Sequence, residues 1–187
     1  MLVEHILDVK KALPPKDVYT IKTECSQFLQ ESQGLPVFRA LPTAYDTFQR
    51  VKVRQKHLND NVSQAFNTAF SDRFHNIVAR GVFTQSVIME RDGGLEPFYI
   101  FPIDGYKFAY SKGVQNANVN FKSVFETLSS TTEDAFSITS DLIKYTYTTK
   151  RLKEGIESDS EIIFYNIPYF YAVRVSDVGR YSTLINR

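Results

Sequence analysis

Val82-Phe83-Thr84-Gln85-Ser86 sets two hydroxyls, two residues apart, on an apolar β-branched run that continues to Met89. Side chains alternate faces along a strand, so Thr84 and Ser86 fall on one face of the strand this run predicts. A second such run, Val37-Phe38-Arg39-Ala40, lies upstream and carries an arginine. A third lies far downstream, where Asp159-Ser160-Glu161 opens onto Ile162-Ile163-Phe164. An arginine, a hydroxyl pair and a late carboxylate thus occur in that order, each at a short strand.

The segments between them fill in the fold. Leu2, Val3, Ile6, Leu7 and Val9 recur at helical spacing, and Pro14-Pro15 closes that element. Val18, Ile21, Cys25, Phe28 and Leu29 predict one further helix with its stop at Gly34. Leu35 to Leu41 reads as a strand broken near its start by Pro36. From Gln49 to His57, Arg50, Lys52, Arg54 and Lys56 share one parity and Val51 and Val53 the other, as in a strand with a basic face or an extended loop. Val62, Phe66, Phe70 and Phe74 lie on one side of a helix capped at Asn59–Asn61 and ending near Ala79. Phe98–Phe101 and Tyr106–Tyr110 predict two strands joined by a tight, hairpin-like turn at Asp104-Gly105. Val114 to Thr132 reads as a polar loop with one helical turn. Phe136 to Ile156 reads as a helix weakened by the run Tyr145 to Thr149. Ile162–Tyr165 and Tyr169–Val175 are the last strands. Helices come first and short strands dominate the rest, an α+β order rather than a doubly wound parallel sheet.

Composition narrows the function. A chain of 187 residues with 43% hydrophobic content can bury one sizeable core, which predicts a single domain. With 22 basic and 21 acidic residues there is no large-scale field for coating nucleic acid or a membrane surface. The lone Cys25 rules out an internal disulfide and reads as a buried thiol. His5, His57 and His75 lie in separate segments, so no metal centre is expected. No run approaches the roughly 20 apolar residues of a membrane helix. The first residues lack the pattern of a signal peptide, and a cytoplasmic setting is the expectation.

The three strand segments suit one chemistry. Breaking the nicotinamide–ribose bond of NAD builds positive charge on the ribose while a neutral pyridine leaves. A protein assists by gripping the diphosphate, bracing the ribose and placing one carboxylate beside it, with no metal. A planar guanidinium suits the diphosphate because it donates paired hydrogen bonds.

These segments resemble the arginine, Ser-Thr-Ser and acidic-x-Glu motifs of the arginine-serine-glutamate class of ADP-ribosyltransferases. A wider resemblance runs to uncharacterised bacteriophage proteins of that fold. It rests on Arg39, the basic segment Arg50 to Lys56, the Phe-rich helix Phe66 to Phe74 and Arg80 to Thr84. It continues through Phe101-Pro102 to Ser111 and Glu161 to Tyr171, so that it covers residues 35 to 176. The resemblance implies a single α+β domain over 35–187 with two packed mixed or antiparallel sheets and flanking helices. Residues 1–34 would be N-terminal helices packed on it. It implies NAD as co-substrate, Glu161 as the catalytic carboxylate, and Asp159 facing the acceptor. Arg39 would hold the diphosphate, Thr84 and Ser86 would brace the nicotinamide ribose, and from the aromatic cluster around it Tyr99 would stack on the ligand. The function implied is a phage-encoded mono-ADP-ribosyltransferase modifying a host protein in the host cytoplasm.

Each residue also has a plainer role. Arg39 can pair across a strand edge, Thr84 and Ser86 can be ordinary strand hydroxyls, and Glu161 can belong to an acidic loop capping its strand. Gln85 stands at the centre of the hydroxyl triplet, and Asp159 where the family carries Glu or Gln. These departures favour a second reading, a non-enzymatic virion or host-takeover binding protein on the same fold.

Overall fold

The computed structural model describes residues 12–53, 68–71, 81–88, 93–117, 119–120, 132–178 and 180–182. The predicted helix over Leu2–Val9, cations Arg54 and Lys56 and most of the Phe-rich helix lie outside them, although residues 68–71 are helical.

Helix α1 (Pro15–Glu24) begins on a proline, which the first turn tolerates because its N–H groups have no intrahelical partner. The single helix expected up to the stop at Gly34 breaks at Cys25, and α2 (Ser26–Glu31) restarts the chain. Asp104 explains the break. Its carboxylate accepts from the Ser26 hydroxyl at 2.6 Å and the Gln27 N–H at 2.8 Å, capping α2 from a distant turn. Its own N–H donates to the Glu24 carbonyl at 2.7 Å. Local periodicity holds no trace of such a cap.

Seven strands follow among the described residues, all paired antiparallel: β1 (Phe38–Pro42), β2 (Phe48–Lys52), β3 (Val82–Thr84), β4 (Leu95–Pro102), β5 (Lys107–Tyr110), β6 (Ile162–Tyr165) and β7 (Tyr169–Arg174). One sheet has the order β1-β4-β7-β2 and the other β3-β6-β5. The expected hairpin of β4 with β5 does not form. Both edges of β4 are taken, by β1 and β7, so β5 pairs with β6 in the other sheet. The turn at Gly105 (φ 88°) therefore carries the chain between sheets, as does the one at Asn166 (φ 66°). The Asn166 side-chain amide donates to the Gly105 carbonyl at 3.1 Å, tying the two crossings together.

The expected helix from Phe136 to Ile156 is two, α3 (Thr132–Thr146) and α4 (Leu152–Glu157). They part where the Thr/Tyr run weakens the helical pattern. There Thr148 takes up extended pairing with Tyr110, through bonds of 3.0 and 2.8 Å. Strand β6 shows the packing logic. Ile162 and Phe164 face a core in which the Phe28 ring meets Phe101, Tyr106 and Phe164 edge-on. Ile163 and Tyr165 face a second cluster with Phe70, Ile143 and Tyr147. Ile21, Cys25 and Phe28 share the first core, so α1 and α2 pack directly on the sheets. Burial pushes the Cys25 thiol pKa up, as befits a structural thiol. No helix among the described residues is long and apolar enough to cross a membrane.

Candidate functional site

The site begins where the two sheets meet. Phe38 of β1 and Gln85, the residue after β3, exchange both backbone hydrogen bonds, at 2.7 and 2.8 Å. β3 pairs with β6 on its other side. The arginine strand, the hydroxyl strand and the carboxylate strand are therefore consecutive neighbours.

Arg39 leans across this junction, and its Nη1–H donates to the Phe83 carbonyl at 3.1 Å. No carboxylate forms an ion pair with it among the described residues, so most of its N–H groups have no protein acceptor. Burial pulls its pKa below the ordinary value, while the nearby charge of Glu161 and the Tyr45 hydroxyl push it back up. A half-buried cation with spare donors is suited to an anionic ligand.

Glu161 is only 8% exposed. A loop holds it twice: the Ala117 N–H donates to Oε2 at 2.9 Å, and the Glu161 N–H donates to the Val114 carbonyl at 2.8 Å. Its charge is also felt by Tyr147, whose pKa is raised first by burial and then by Glu161. Thr84 is 1% exposed and its hydroxyl donates to the Ile162 carbonyl at 3.0 Å. That bond clamps β3 onto the residue that follows Glu161, so Thr84 braces the carboxylate strand.

Ser86 and Asp159 meet at the mouth, the hydroxyl donating to Oδ1 at a long 3.5 Å. Asp159 is exposed and sits in the left-handed region (φ 52°), a conformation aspartate tolerates better than most residues. Arg39, Thr84, Ser86, Asp159 and Glu161 thus gather along one junction.

Tyr99 does not join them. Register places Phe98 opposite Arg39 and Tyr99 opposite Phe38, which puts Tyr99 on the other face of its sheet. There its ring packs on Phe38 and Tyr181, with centroids 5.3 and 5.1 Å away.

Instead, a cross-strand row runs Arg39, Phe98, Arg174 over β1, β4 and β7. Tyr45 packs edge-on against Phe98 at 6.4 Å, and the Arg174 guanidinium lies 5.5 Å from the same ring. Arg174 donates through Nη2 to the carbonyls of Thr43 and Tyr45 and lies 3.6 Å from both Glu96 and Asp177. It pins the loop that presents Tyr45 to Arg39. Sequence reading missed this group, since Tyr45 lies in a turn without periodic pattern and Arg174 at a strand end. The basic face of β2 is half visible: Arg50 and Lys52 are exposed, and Arg50 lies 3.7 Å from the Tyr169 ring centre.

No group of three metal-ligating side chains occurs among the described residues. No protein-family model matches this chain, and no curated protein or solved structure matches it.

Proposed function

We propose that this chain is an NAD-dependent mono-ADP-ribosyltransferase of the arginine-serine-glutamate kind, encoded by a phage and acting on a host protein. The observation that carries the reading is the adjacency of the three motif strands, with Arg39 and Glu161 close enough to feel each other's charge. In this reading the spare N–H groups of Arg39 grip the diphosphate, with Tyr45 beside it. Thr84 keeps the carboxylate strand rigid. The C1′–N bond breaks with its electron pair leaving on nicotinamide, and Glu161 stabilises the positive charge left on the ribose. The acceptor's nucleophilic atom then bonds to C1′ and gives up its proton at Asp159 or to water.

Nicotinamide release from NAD tests it. The wild type releases nicotinamide, in host lysate if not alone. Glu161→Gln, which can still accept from the Ala117 N–H, stays folded and releases none. Unchanged release by that variant removes Glu161 from the mechanism.

A second reading has its own support. The Thr84 hydroxyl and one Glu161 oxygen already serve backbone groups, as they would in a binding protein without NAD chemistry. A folded wild type that releases no nicotinamide at millimolar NAD, with or without lysate, assigns the chain to that class.

A further inference from the structure

Away from the sheet junction, the connection between α3 and α4 and the end of β5 enclose an open hollow of about 530 Å³. That size lies within the roughly 300–1,000 Å³ typical of small-molecule sites. Ser111, Lys112, Thr148, Lys150, Arg151 and Glu154 line it. Arg151 takes a left-handed backbone (φ 61°), turning the chain so that Lys150 and Arg151 flank the same space. Lys112 and Arg151 share one carboxylate, Glu154, at 3.8 and 2.8 Å. Lys150 has no ion pair among the described residues. Three cations therefore face a single anion.

A second observation points inward. Ser111 lines the hollow, where its hydroxyl stays accessible and makes no hydrogen bond to another described residue. We propose that this hollow is a binding site for a phosphoryl group, with Lys150 and Lys112 supplying charge and Ser111 a hydrogen bond. Phosphate oxygens accept from all three, and a dianion offsets the surplus positive charge. The site is independent of the NAD reading.

Calorimetric titration of the full chain with inorganic phosphate and with ribose 5-phosphate, at constant ionic strength set by chloride, tests this. Saturable binding of either is expected, weakened at least tenfold in Lys150→Ala and several-fold in Ser111→Ala. Tighter binding of the sugar phosphate identifies a phosphorylated small molecule as the ligand, and equal binding identifies free phosphate. Either supports the site. No saturable binding of either probe overturns it, as does full-affinity binding by Lys150→Ala. Lys150 is exposed, so circular dichroism of that variant should match the wild type.

Discussion

At the residue scale, Glu161 and Arg174 are the two charges whose surroundings decide most. Glu161→Ala leaves the buried Ala117 N–H without its acceptor, and this should cost about 1–3 kcal/mol in urea unfolding. Glu161→Gln should cost much less, because an amide oxygen can take the same bond. That contrast separates the structural duty of the side chain from its proposed chemistry. Arg174→Ala strands two carbonyls and two carboxylates in a half-buried setting, and the expected loss is roughly 2–4 kcal/mol. It should also release Tyr45 and weaken NAD binding, which Arg174→Lys, with one ammonium for a forked guanidinium, should restore only in part. Tyr99 illustrates what a sequence withholds at this scale. All of Phe98, Tyr99, Ile100 and Phe101 are buried, so no alternation of polar and apolar residues marks which face of β4 looks toward Arg39.

At the element scale, the sequence reads best where a short apolar run is bounded by polar or turn residues, or where one face is wet. β1, β3, β6 and β7 were legible from apolar runs, and Arg50 and Lys52 do alternate with Val51 on the edge strand β2. Misreadings arose where a partner remote in sequence decides the outcome. Asp104-Gly105 signals a chain reversal but not which strand β5 will pair with. Asp104 splits the helix predicted from Val18 from 78 residues away, measured to Ser26. Tyr110 likewise draws Thr148 out of the helix predicted over Phe136–Ile156 into a bridge. Helix α4 offers a test of how tightly these pieces fit. A Cβ added at Gly155 would meet the ring of Tyr110 at 2.7 Å. Alanine is the better helix former by about 0.8–1.0 kcal/mol in an open setting. Gly155→Ala should nevertheless destabilise the protein by about 1–3 kcal/mol, as overpacking does, because the Tyr110 ring is itself fully buried. A stabilised variant would show that α4 can slide away from β5.

At the scale of the whole molecule, tyrosine burial sets the response to pH. Burial raises the pKa values of Tyr99, Tyr106, Tyr110, Tyr147, Tyr165, Tyr171 and Tyr181. The Tyr106 hydroxyl also donates to Glu31 at 2.6 Å, which holds its proton further. In the unfolded chain these phenols ionise near pH 10, whereas the folded state keeps them protonated. Above about pH 10 the unfolded state therefore binds fewer protons, and stability falls as pH rises. The contribution is fully present below that pH. Tyrosinate absorbance should accordingly rise together with loss of circular dichroism for these residues, rather than before it.

The two sheets, joined through the Phe38–Gln85 bridge, place an arginine with spare donors near a buried carboxylate, and the account stands on that junction holding NAD. Calorimetric titration of NAD into the wild type and Arg39→Ala tests this most directly. The account predicts saturable binding by the wild type, weakened at least tenfold in the variant, a loss of about 1.4 kcal/mol or more. Equal affinity in the two proteins, or no binding by a folded wild type, would contradict it.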